Sequence, residues 1–222
     1  LQLIININSN LNDASRITIN GLNLKLQAFT CDDPMIKINL KIENSLEHKT
    51  ECLILLCAEG NKPEAMVKAV DAILNSAISQ AFENKRFEGK PNQTLLLNST
   101  GSMKANNLLL VGIGKAKDVT PETICRASAT AAKLAEGSNF KSVSVDLSCF
   151  DALAKGKAGL YGELSGAVVE GAGLALYHFD DYKSHDEKDD PPSRIEKLTL
   201  VPASKSRQGT VEKSIARAEK IV

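Results

Sequence analysis

The run Leu108-Leu109-Leu110-Val111-Gly112-Ile113 carries no polar side chain on either face of an extended chain. A strand of this kind has to be covered on both sides, so the fold needs apolar layers above and below it. Gly112 and Gly114 let the chain turn at its end without steric cost. Thr120 then reads as a helix N-cap, with Pro121 at the first helical position and Glu122 near the positive helix end. The spacing predicts a helix from there to about Glu136, with Ile124, Ala127, Ala131 and Leu134 as its inner stripe and Gly137-Ser138 as its stop.

The flanking segments agree with a layered α/β arrangement. Leu3 to Ile7, Arg16 to Ile19, Leu22 to Phe29 and Ile36 to Ile42 alternate apolar and polar residues, and Asn20-Gly21 reads as a tight hairpin turn. Cys52 to Cys57 reads as a short apolar strand. One helix is expected after it, because Met66, Val70, Ile73, Ala77 and Ala81 recur at three- and four-residue steps, with Leu74, Ile78 and Phe82 beside them. Phe87-Glu88-Gly89-Lys90-Pro91 breaks that helix. Thr94 to Leu97 and Val143 to Leu147 read as strands, and a further helix is expected over Leu160 to Tyr177. Gly166, Gly171 and Gly173 within it weaken a free helix by roughly 0.5–1 kcal/mol each, so close backbone packing, or docking in an interface, is the reason to expect them. Asp180 to Asp190 is a charged loop or spacer closed by Pro191-Pro192; Ile195 to Val201 is a last strand, and Val211, Ile215, Ala218 and Val222 start a helix that runs to the last residue given. Strands that follow one another without a helix between them favour a mixed sheet over a purely parallel one.

Composition narrows the function classes. Lys+Arg and Asp+Glu both number 27, so net charge gives no argument for nucleic acid binding. Aromatic residues make up 4% and Trp is absent, which leaves base stacking or an aromatic cage poorly supplied. Cys31, Cys52, Cys57, Cys125 and Cys149 are odd in number and lack CxxC spacing; they read as reduced, mostly buried thiols, with zinc ligation as the sharper alternative. No apolar run approaches the ~18 residues of a membrane span, and the first residues lack the charges and cleavage site of a secretory leader.

Motifs of known chemistry are not found. Gly112-x-Gly114 lacks the third glycine of a dinucleotide fingerprint, since position 117 is Lys, and it lacks the length and the Ser/Thr of a P-loop. It reads as a strand-to-helix turn, with anion binding near Thr120 as the chemical alternative. His48, His178 and His185 form no HExxH pattern. His185 with Asp180, Asp181, Asp186, Glu187, Asp189 and Asp190 could collect a divalent cation, though a solvated acidic loop accounts for the same residues. His178, between Tyr177 and Phe179 at a helix end, reads as packed or capping. No GxSxG elbow is present. No catalytic, cofactor-binding or metal-ligating residue is therefore assigned.

Taken together the motifs are more telling. Asn107-Leu-Leu-Leu-Val-Gly-Ile-Gly-Lys115, Val119-Thr-Pro-Glu122 and the helix Ala127 to Leu134 resemble the N-terminal domain of the leucyl (cytosol) aminopeptidase family, peptidase family M17. Phe87-Glu-Gly-Lys90 resembles the same domain's turn before a strand. Glu170, Gly171, Leu174, Tyr177, Phe179, Asp180, Tyr182, Lys183 and Ser184 match a run of the type EGxxLxxYxFDxYKS typical of the family. The likeness covers roughly residues 36–222.

The resemblance implies an α/β fold: a macro-type layered domain with a central mixed β-sheet flanked by helices. It implies three parts: 1–35 as a β-rich extension or first strands, 36–190 as the macro-like domain, and 191–222 as the final strand and the start of a linker helix toward a catalytic domain absent here. The complete protein would be a cytoplasmic hexamer that releases N-terminal amino acids from peptides with two divalent metals, zinc or manganese/magnesium, in its catalytic domain. The family motifs VGKGxTFDSGG and NTDAEGR, which carry metal ligands and catalytic groups, do not occur in this sequence. The expected partners are the chain's own C-terminal catalytic domain and further copies of itself, with the peptide substrate bound elsewhere and no membrane. Two other readings use the same fold: a module for an ADP-ribose-like nucleotide metabolite, and a DNA-binding role.

Overall fold

The computed structural model describes residues 16–19, 22–25, 36–60, 65–177 and 194–220. The chain separates into two compact units, Leu1–Met35 and Ile36–Val222. In the first, β1 (Arg16–Ile19) and β2 (Leu22–Lys25) pair antiparallel, with Ile19 opposite Leu22; the turn expected at Asn20-Gly21 lies outside the described residues. The strand expected over Leu3 to Ile7 lies outside the described residues.

The second unit is built on a six-stranded sheet in the order β3-β8-β7-β4-β6-β5. Its strands are β3 (Lys37–Leu40), β4 (Cys52–Ala58), β5 (Thr94–Asn98), β6 (Asn107–Gly114), β7 (Ser142–Asp146) and β8 (Lys197–Val201). All neighbours are parallel except β5, which runs antiparallel to β6 at one edge, so the sheet is mixed. Its helices are α1 (Ala65–Ile73), α2 (Ala77–Glu83), α3 (Pro121–Gly137), α4 (Cys149–Ala154), α5 (Ala158–Leu176) and α6 (Gln208–Ala218).

The alternation of side chains along a strand explains the layers. From β4, Cys52, Ile54 and Leu56 join Leu109, Val111 and Ile113 of β6 in a core shared with α3, α4, α5 and α6. Leu53, Leu55 and Cys57 point the other way and join Leu108 and Leu110 in a core with Val67 and Val70 of α1 and Ile78 and Ala81 of α2. The two central strands are thus covered on both faces, as their unbroken apolar runs demand.

The single helix expected over Met66 to Phe82 is two helices. Asn75 and Ser76 turn left-handed, with φ of 53° and 64°. The Asp71 carboxylate accepts the free N–H groups of Ile78 (2.8 Å) and Ser79 (3.1 Å) and so caps α2 across the break. The six-residue α4 was not expected from periodicity, being too short to display one.

Small residues let α5 sit close to its neighbours. A methyl group at Gly171 would stand 2.1 Å from the Cys125 carbonyl oxygen of α3, and one at Gly162 would meet Ser214 Oγ of α6 at 2.9 Å. At the start of α6, Arg207 forms a fork with Asp151 of α4, Nε at 2.9 Å and Nη2 at 2.7 Å. The guanidinium also lies 4.8 Å from the centre of the buried Tyr161 ring, which stacks edge-on against Phe150. Burial pushes the Tyr161 hydroxyl well above the ordinary phenol range.

Candidate functional site

The glycine turn at the carboxyl end of β6 is sealed by protein. Gly112 donates its N–H to Gln93 O (2.7 Å) and accepts from Asn92 N–H (2.9 Å); Gly114 donates to Gly89 O (2.9 Å) and accepts from Glu59 N–H (2.8 Å). A methyl group at Gly112 would lie 2.0 Å from the Lys90 carbonyl oxygen, and Gly114 has φ of +75° against the Pro91 ring. The glycines are there so that the 89–93 segment can cross the strand at backbone distance. Their N–H groups are committed to that segment, so the turn is no phosphate cradle.

Thr120 caps α3 as the sequence indicates. Thr123 N–H donates to Thr120 Oγ1 at 3.3 Å, Thr120 N–H donates to Thr123 Oγ1 at 3.4 Å, and Pro121 takes the first turn. The Glu122 carboxylate, paired with Arg126 at 2.5 Å, already places negative charge at that helix end, which disfavours a bound anion.

His48 is buried and hydrogen-bonds through Nδ1 to Glu43, which also meets Lys41 at 3.6 Å. His178, His185 and the acidic stretch around them lie outside the described residues. Among the described residues, no three of His, Cys, Asp and Glu converge where a metal ion could sit. The residues described here therefore do not fit the dinuclear metal centre that the family resemblance implies for another domain. Cys52, Cys57 and Cys149 are buried cysteines outside any disulfide and Cys125 is half-buried, while Cys31 lies outside the described residues. Burial pushes the Cys52 thiol up to about 12. Burial, then Glu170 and Glu122, raises Cys125. Neither is poised as a thiolate.

The open part of the sheet's carboxyl edge is at β7 and β8. The chain leaves β4 toward α1 on one face and leaves the adjacent β7 toward α4 on the other, which makes this a topological switch point, where α/β sheets receive ligands. A crevice of about 340 Å³ opens there, lined by Ile42, Glu43, Ser45, Met66, Asp146 and Lys205 among others. Asp146 is only 4% exposed. It accepts hydrogen bonds from the Ser45 and Ser148 hydroxyls and from Ser148 N–H (3.0 Å), which tie the turn after β3 to the end of β7. Burial raises its carboxyl above the usual range, and these donors pull it back only in part. On the same face, Ser144 and Thr199 stand opposite each other on β7 and β8, fully buried, with hydroxyls that lack a partner. Sequence reasoning missed this crevice because Ser45 and Asp146 are 101 residues apart.

A second, wider trough of about 1030 Å³ runs over α5 between α3 and α6. Its floor is Gly159, Gly162 and Gly166, and α6 lends it Lys213 and Arg217. Among the described residues no helix is long and apolar enough to cross a membrane.

A mixed sheet covered on both faces by helices defines a layered α/β domain. Residues 54–186 match the sequence model of the cytosol aminopeptidase family, N-terminal domain, and the chain belongs to that family. It is 33% identical over 174 residues to a cytosol aminopeptidase of Pseudomonas aeruginosa, a match that covers 78% of this chain and 33% of that protein. The chain spans about a third of the length of the curated relatives it matches. In fold it is similar to a mutant tomato leucine aminopeptidase, with a TM-score of 0.63 at 19% identity over 85% of this chain and 37% of that one. It is also similar in fold to a mutant macrodomain of Oceanobacillus iheyensis, with a TM-score of 0.59 at 11% identity over 85% of this chain and 95% of that one.

Proposed function

We propose that this chain is the non-catalytic N-terminal domain of a cytoplasmic aminopeptidase whose chemistry belongs to a separate C-terminal domain. The observation that carries the reading is the family match over residues 54–186, together with the relatives' threefold greater length. In the whole protein, two divalent metals, zinc or manganese/magnesium, held by the catalytic domain would activate the water that attacks the first peptide bond. In this reading, residues 1–35 are a β-rich extension, 36–190 the macro-like domain, and 191–222 the final strand and the start of a link to the catalytic domain. Assembly into hexamers belongs to the whole protein.

The test is hydrolysis of leucine amide with and without manganese. The 222-residue protein alone should release no leucine, and the same chain joined to a family catalytic domain should do so. Metal-dependent turnover by the 222-residue protein would overturn the assignment.

A further inference from the structure

The crevice at the ends of β7 and β8 holds an electrostatic imbalance. Asp146 is almost completely buried, yet its partners are two hydroxyls and one amide. Among the described residues no cation lies within ion-pair distance of it, and a buried carboxylate without a counter-ion is costly. Lys205, at the same crevice, also has no ion-pair partner among the described residues. Glu43 does not supply one, because His48 and Lys41 already engage it. On the same sheet face the fully buried Ser144 and Thr199 hydroxyls are unpartnered, but neither lines the crevice. Ile42 and Met66 add apolar surface on the wall.

We propose that this crevice binds a small zwitterion of the α-amino acid class, its ammonium group against Asp146, its carboxylate toward Lys205 and an aliphatic side chain against Ile42 and Met66. The volume of about 340 Å³ lies at the lower end of ligand pockets and suits a molecule of this size. A nucleotide diphosphate fits less well, since its negative charges would meet Asp146 and Glu43 with Lys205 as the one lining cation among the described residues. The proposal does not rest on the aminopeptidase reading, and hydrolysis plays no part in its test.

Calorimetric titration of the 222-residue protein separates the alternatives. Four probes are used: L-leucine, N-acetyl-L-leucine, L-leucine amide and ADP-ribose. L-leucine should bind saturably, and removal of either of its charges should weaken binding about tenfold, the equivalent of about 1.4 kcal/mol. The exposed Lys205→Gln variant, which leaves the core untouched, should lose affinity for L-leucine and not for the amide. Asp146→Asn should lose affinity for both, with folding checked by circular dichroism. No heat with L-leucine, equal binding of the acetylated form, or tighter binding of ADP-ribose would each overturn the proposal.

Discussion

Arg207 holds Asp151 through two nitrogens, at 2.9 and 2.7 Å, while its guanidinium lies over the Tyr161 ring. A planar fork is needed to do both at once, and an ammonium group cannot. Asp151 is 38% exposed, so solvent screens the pair and its contribution is modest. Arg207→Lys should lower stability by about 1 kcal/mol, read from the urea midpoint. Hydrogen exchange should rise first in α6, the helix that this contact fastens.

Gly171 and Gly159 share α5 but not surroundings. A methyl group at Gly171 would collide with the Cys125 carbonyl at 2.1 Å, whereas one at Gly159 would meet nothing within 4 Å. Gly171→Ala should therefore destabilise by about 3 kcal/mol as α3 and α5 are forced apart. Gly159→Ala should stabilise by about 0.5 kcal/mol through helix propensity alone. Thermal melts of the two variants should move in opposite directions.

Thr120→Ala removes the side-chain acceptor for Thr123 N–H. The expected loss is about 1 kcal/mol, and Thr120→Asp should recover most of it. Denaturant midpoints for the three proteins supply the comparison.

Asp146 makes stability depend on pH. Its folded carboxyl titrates above the unfolded value, because burial disfavours the charge. The unfolded chain thus gives up its proton first, near pH 3.9. The group's contribution is fully present below that pH and is lost as pH rises through the folded value. Relative to wild type, Asp146→Asn should gain stability across that window and change no further above it. Urea midpoints at a series of pH values, from below the unfolded carboxyl value to neutrality, measure the difference.

The β6–α3 unit could be read from sequence because each of its signals is local. An apolar run, two glycines and a Thr-Pro cap lie within consecutive residues and each has one physical meaning. The split between α1 and α2 could not be read, because Leu74 and Ile78 continue the helical stripe across a break made by the backbone of Asn75 and Ser76. The crevice was hidden for a different reason. Ser45, Asp146 and Lys205 are ordinary polar residues in three separate segments, and only the sheet order brings them to one place. The glycine turn reads from its sequence as a strand-to-helix turn, yet the residues that fill it, Gly89 to Gln93, come from the strand-entry segment some twenty positions earlier and are not legible from the turn itself.

That seal has a consequence for the order of folding. The 89–93 segment is hydrogen-bonded to the backbone of β6 and abuts Ala58 at the end of β4, so its final position depends on both central strands. Its ordering is therefore expected to follow the pairing of the central strands. A protease cut within this segment, followed during refolding, would act as a clock for the insertion of β6.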